Sequence, residues 1–174
     1  MRIDRVIVGD LETNCYVLSL NNKCIVIDPG DEMDKISKVI NGKEVVGVIV
    51  THYHFDHIGA LDYFNKDLIL DRNNLEEKEY NIDGFNFEVI YTPGHKEDSI
   101  TIYFKKENAM FTGDFIFKGT IGRTDLPGGS FKEMIESLNK ISKYNKDIIV
   151  YPGHGDSTIL DLKLIYWFNL NIDI

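Results

Sequence analysis

The 174-residue chain is short of several things, and each shortage removes a class of function. No apolar run approaches the ~20 residues that a membrane-spanning helix needs. The N-terminus, Met1-Arg2-Ile3-Asp4-Arg5, is charged and has no secretory apolar core, so a cytoplasmic location is expected. Basic residues are outnumbered, giving a formal net charge of −9, which argues against nucleic acid as a partner because phosphate binding needs a basic face. Only two cysteines occur, Cys15 and Cys24, without metal-site spacing. They lie in neighbouring apolar runs, where buried free thiols are the expectation and a disulfide the alternative. No linker or low-complexity segment interrupts residues 1–174, so one domain is expected, large enough for a two-layer core.

Histidine is also scarce, and its placement carries the information. All five histidines fall in one pattern: Thr51-His52-Tyr53-His54-Phe55-Asp56-His57, then Pro93-Gly94-His95 and Pro152-Gly153-His154. A lone histidine is usually a packing or surface residue, and a lone Gly-Asp is usually a turn. Here, however, four apolar runs end directly in candidate ligands. Val45–Val50 leads into His52, His54, Asp56 and His57; Phe85–Tyr91 into His95; Ala109–Phe111, through Thr112 and Gly113, into Asp114; and Ile148–Tyr151 into His154. Ligands at rigid strand ends can converge at one edge of a sheet core. Imidazole and carboxylate suit a borderline divalent metal, zinc first, with iron or manganese as alternatives. Seven donors exceed one tetrahedral site and suit two ions. On an extended segment His52 and His54 point the same way, while Asp56 and His57, where a helix begins, can turn to a second ion.

The same apolar runs, with Arg2–Val8, Cys15–Leu20, Cys24–Ile27, Asp67–Leu70 and Ile100–Phe104, read as strands. Helical stripes appear at Met33, Ile36, Val39 and Ile40; at Ile58, Leu61 and Phe64; and at Phe131, Met134, Ile135, Leu138 and Ile141. The last is opened by a capping box, Ser130 with Glu133. The tail from Thr158 to Leu170 reads as helical, with Leu160, Leu164, Trp167 and Phe168 packing on the core. Together these suggest two mixed sheets face to face with helices outside. Periodicity alone does not separate that from a conventional α/β sheet.

The histidine motifs, with Thr92-Pro93-Gly94-His95, Phe111-Thr112-Gly113-Asp114 and Tyr151-Pro152-Gly153-His154-Gly155, resemble the metallo-β-lactamase fold superfamily. Asn14-Cys15-Tyr16, Val26-Ile27-Asp28-Pro29-Gly30 and the loop Gly119–Gly129 (Gly-Thr-Ile-Gly-Arg-Thr-Asp-Leu-Pro-Gly-Gly) resemble its glyoxalase II-like hydroxyacylglutathione hydrolases. The resemblance spans nearly the whole chain in order. It implies an α/β (α+β) fold, an αβ/βα four-layer sandwich of two mixed sheets flanked by helices. It implies a first metal held by His52, His54 and His95, a second by Asp56, His57 and His154, and Asp114 bridging them. The activity implied is hydrolysis of a small-molecule thioester by water activated at the metal pair, with Asp56 also orienting that water. Arg123 matches the basic substrate-binding position of the glutathione-gripping loop. Asp125 and Asp156 stand where that family has tyrosines, and its C-terminal helical domain is expected to be absent, which leaves the acyl group and thiol carrier open. Alternatives are an ester or lactone hydrolase, a one-iron persulfide dioxygenase-like enzyme using His52, His95 and Asp114, and a metal-binding module of a larger assembly.

Overall fold

In β-strands successive side chains face opposite sides, so a strand buried on both faces is mostly apolar along its length. Thr13–Leu20 and Lys23–Ile27 behave this way in the computed structural model, which describes residues 1–161. Tyr16, Leu18, Ile25 and Ile27 point into one core cluster, while Cys15, Val17, Cys24 and Val26 point into another. Both cysteines are therefore buried free thiols on the outer face of their sheet.

In chain order the elements are β1 (Arg2–Val8), β2 (Thr13–Leu20), β3 (Lys23–Ile27), α1 (Met33–Ile40), β4 (Glu44–Ile49), α2 (Phe55–Ile58), β5 (Ile69–Leu70), β6 (Glu79–Ile82), β7 (Phe85–Tyr91), β8 (Ile100–Phe104), β9 (Ala109–Gly113), β10 (Ile116–Phe117), β11 (Thr120–Ile121), α3 (Phe131–Ile141), β12 (Ile149–Pro152) and β13 (Thr158–Ile159). One sheet has the order β1-β2-β3-β4-β5 and the other β13-β12-β9-β8-β7-β6. Pairs β3/β4, β4/β5 and β9/β12 are parallel and the other ladders antiparallel, so both sheets are mixed.

Three apolar clusters define the layers. The central one interleaves Tyr16, Leu18, Ile25, Ile27 and Ile49 of the first sheet with Phe87, Val89, Ile102, Phe104 and Phe111 of the second. Outside the first sheet, Ile36 and Ile40 of α1 pack on Val17 and Val26. Outside the second, Met134, Leu138 and Ile141 of α3 pack on Met110, Ile148 and Val150. This is the four-layer αβ/βα sandwich. Each fully buried aliphatic side chain contributes roughly 1.5–3 kcal/mol, so apolar packing holds the layers together without a disulfide.

Some local expectations fail. The Ile58, Leu61, Phe64 stripe does not form one helix: α2 ends at Ile58, and only a 3-10 turn, Leu61–Tyr63, follows. The Ala60 N–H is taken by the Pro29 carbonyl at 2.9 Å, and Gly59 packs against the Gly30 carbonyl. Asp67–Leu70 is a strand only at Ile69–Leu70, because Lys66–Leu68 forms a 3-10 turn capped by Asn65. Thr158–Ile159 is a strand on β12 instead of a helix start, Leu160 and Asp161 are not helical although Leu160 packs on the core as expected, and residues 162–170 of the expected C-terminal helix lie outside the described residues. The capping box is half formed: Ser130 Oγ accepts the Glu133 N–H, but the Ser130 N–H goes to the Gly94 carbonyl at 2.8 Å.

Candidate metal centre

The ends of β4, β7, β9 and β12 bring all seven sequence-derived donors to one edge of the sandwich. Ligand atoms of His52, His54 and His95 lie within 4.8 Å of one another, and so do those of Asp56, His57 and His154. Asp114 stands between the two sets. Its Oδ1 is 3.4 Å from His57 Nε2, and its Oδ2 is 3.6 Å from His95 Nε2 and 3.5 Å from His154 Nε2.

The orientation of four imidazoles follows from what meets their Nδ1 atoms. His95 Nδ1 faces the Arg123 carbonyl at 2.8 Å, His154 Nδ1 the Leu11 carbonyl at 3.0 Å and His57 Nδ1 the Asp28 carboxylate at 2.9 Å. His52 Nδ1 lies 3.1 Å from Thr51 Oγ1, whose own proton goes to Asp28. Each of these Nδ1 atoms is a donor, assigned from its acceptor, and so each ring, once its Nε2 is deprotonated, turns an Nε2 lone pair inward. Outer oxygens of this kind lock the rings of metal-ligating histidines. His54 is the exception and turns Nδ1 inward, 3.0 Å from His52 Nε2 and 2.8 Å from His95 Nε2.

That arrangement tests whether a cation fits. Three ring nitrogens converge, and one proton on His54 can serve only one of its two neighbours. In the second set His57 Nε2 and Asp114 Oδ1 are buried without a hydrogen bond. Buried unpaired polar atoms are costly, and divalent ions bound by imidazole and carboxylate would satisfy these. Burial disfavours charge on His52 and His54 and lowers their pKa, the neighbouring histidines adding to the effect. Burial also opposes charge on His57, but Asp28 and Asp114 outweigh it and push its pKa up to about 10. Hydrogen bonds to Asp114 and Asp56 raise His154 to about 10. Burial works against the Asp56 and Asp114 carboxylates, yet hydrogen bonding to His154 and the charge of His57 hold both well below the usual carboxylate range. The second set therefore attracts positive charge more strongly than the first.

The scaffold around the donors is as specific as the donors. Asp28, buried at the end of β3, accepts the Thr51 N–H and the Thr51 hydroxyl, each at 2.7 Å, and braces His57. Sequence reasoning noted its Asp-Pro-Gly motif and assigned it no role, although a carboxylate closing an apolar strand was a usable signal. Thr13 donates to Asp56 Oδ2 at 2.9 Å, and Asn14 donates to the Pro152 and Gly155 carbonyls, which ties the β1–β2 hairpin to the His154 loop. Helix α3 braces the His95 turn: Ser137 donates to the Pro93 carbonyl at 2.7 Å, and Gly94, at φ 144°, lies so close that a Cβ there would meet Met134 Cα at 2.5 Å. Gly153 is needed for convergence itself, since a Cβ would press on Asp114 Oδ1 and lie 2.7 Å from His57 Cε1. Arg123 sits differently from the donors. Its guanidinium forms a two-pronged pair with Asp125 at 2.8 and 2.7 Å on the surface, and its carbonyl holds His95.

Comparison with known proteins agrees with the fold. The sequence pattern of the Metallo-beta-lactamase superfamily matches residues 8–71 and 65–154. The chain is 30% identical over 198 residues to hydroxyacylglutathione hydrolase GloC of Haemophilus influenzae, covering 92% of this chain and 93% of that one. Among solved structures it is similar to the BLEG-1 B3 metallo-beta-lactamase, with TM-score 0.85 and 29% identity over 91% of this chain and 94% of that one. It is also similar to TTHA1623 in a di-iron-bound form, with TM-score 0.82 and 28% identity over 92% and 96% of the two chains. The chain belongs to the metallo-β-lactamase superfamily.

Proposed function

We propose that this protein is a dinuclear metal-dependent hydrolase acting on thioesters of small molecules, in the manner suggested by its likeness to GloC. The observation that carries the hydrolase reading is the pair of donor sets joined by Asp114, with His57 Nε2 and Asp114 Oδ1 buried and unsatisfied. His52, His54 and His95 would hold one ion, Asp56, His57 and His154 the other, and Asp114 would touch both. Zinc suits these ligands, and the di-iron form of TTHA1623 makes iron the main alternative. When bound, the ions supply Lewis acidity that polarises the substrate carbonyl and lowers the pKa of water.

The chain's own groups do the rest. Asp28, Thr51, the Leu11 carbonyl and the Arg123 carbonyl hold four imidazoles in one tautomer, so the centre needs no reorganisation during reaction. Thr13 fixes the rotation of Asp56, whose carboxylate, besides holding the ion, would orient the attacking water. A thiolate leaves without a proton donor, and every histidine is engaged in the cluster, so no general acid is required. The complete second set favours two ions over a one-iron oxidative site.

The test pairs elemental analysis of purified protein with initial rates on an acyl-glutathione thioester, a short acyl thioester, a lactone and a β-lactam. About two metal equivalents and fastest turnover of a thioester are expected. One equivalent at full activity, or a β-lactam or lactone turned over faster than both thioesters, refutes the proposal.

A further inference from the structure

Two clefts meet at Lys118, on the hairpin between β10 and β11. One, about 310 Å³, has His154, Phe117 and Gly155 on its walls; the other, about 490 Å³, runs on past Arg5, Tyr16 and Tyr151. Lys118 and Asp156 line both, so the two form one groove leading away from the metal-ligand cluster. Lys118 is exposed and makes no hydrogen bond or ion pair with a described residue. Arg5 spends Nη1 on the Gly155 carbonyl at 2.7 Å and on Asp156 at 3.3 Å, which neutralises the one carboxylate that lines the groove among the described residues. The groove is thus net positive on a chain of net charge −9.

A further cleft, bordered by the candidate ligand Asp56, has the reverse character. Its volume is about 300 Å³, and it is lined by Asp10, Asp31 and Asp56 beside the apolar Leu11 and Phe55. His154 Nε2 and Asp56 Oδ2, 3.2 Å apart, are where the two sides meet. An anionic substrate group is repelled from the Asp10–Asp31 side and drawn to the Lys118 side. Arg123 is poorly placed to compete, because Asp125 already occupies its guanidinium.

We infer that Lys118 forms the subsite for a carboxylate on the thiol part of the substrate, with Arg5 cancelling the charge of Asp156 beside it, while the acyl part lies toward Leu11 and Phe55. The substrate class is then an acyl thioester of a carboxylate-bearing thiol, and the inference rests on the thioesterase reading for that class. Binding of uncleavable thioethers to the metal-loaded protein tests it without turnover. S-butylglutathione is compared with the butyl thioether of N-acetylcysteamine, which has no carboxylate. Wild-type protein is expected to bind the glutathione thioether more tightly. Lys118→Met should weaken it roughly threefold to fivefold, the size of one exposed ion pair, Lys118→Glu should weaken it further, and Lys118→Arg should restore it. Equal binding of the two thioethers by wild type, or unchanged affinity in Lys118→Glu with an unaltered circular dichroism spectrum, overturns the subsite. Loss of binding in Lys118→Glu with no thioester cleaved by wild type leaves the subsite standing and removes the thioesterase reading.

Discussion

Replacing Asp28 by Asn should separate the two metal positions. Asp28 adopts φ 50°, a left-handed conformation that Asn tolerates as well as Asp, so the change adds no backbone strain. What it removes is the charge and one acceptor. Asp28 receives three donors, the Thr51 N–H, the Thr51 hydroxyl and His57 Nδ1. An Asn side chain offers one oxygen and one NH2, so it cannot accept from all three. If its oxygen stays with the Thr51 N–H, its NH2 faces His57 Nδ1 and favours the tautomer with the proton on Nε2, the atom that should bind metal. Loss of such an outer partner typically costs 10–100-fold in metal affinity, or about 1.4–2.7 kcal/mol. His57 belongs to the second donor set, whereas His52 feels Asp28 only through Thr51. Calorimetric titration of metal-free protein with zinc should therefore show the second ion weakened about 10–100-fold and the first less than about threefold. Unchanged affinity for both ions, or an equal loss at both, would refute the reasoning.

Proton release should distinguish the same two positions. His57 and His154, raised to about 10, carry protons at neutral pH in metal-free protein, while His52 and His54, lowered below the usual imidazole value, do not. Binding of the second ion should then release up to two protons and strengthen steeply as pH rises toward 10, with His52 and His54 contributing none to the first ion. Calorimetry in buffers of different ionisation enthalpy measures this, and no proton release with the second ion would contradict it. Gly153→Ala should abolish tight binding of the second ion while leaving the far-ultraviolet spectrum native, because its Cβ would press hardest on the ligand side chains of Asp114 and His57 and meet the backbone of β9 less closely, at the Gly113 carbonyl carbon, 3.1 Å away; a fully loaded Gly153→Ala protein would show that the centre tolerates more spreading than its geometry suggests.

Much of this protein is legible in one dimension. Strands buried on both faces announce themselves as apolar runs, which is why β3 and β8 are readable almost to the residue, while β2, β4, β7, β9 and β12, which include polar or exposed positions, are read from their β-branched and aromatic residues to within two residues at each end. The amphipathic stripes of α1 and α3 are as clear. The seven donors are legible because motif spacing and strand ends are local properties. Elements held by distant partners are not. β6 alternates polar and half-buried residues and is a strand because β7 pairs with it, and β13 exists because Ile149 and Val150 offer it an edge. Helix α2 stops where it does because Pro29 takes the Ala60 N–H. The role of Asp28 is likewise invisible until β3 and β4 lie side by side and bring its carboxylate to Thr51 and His57. Sequence alone determined which atoms are available to bind metal, since chemistry resides in residue type. Tertiary structure alone decided which nitrogen of each ring faces inward, because a tautomer is set by the oxygen on the other side of the ring, and those oxygens come from up to 143 residues away in the chain.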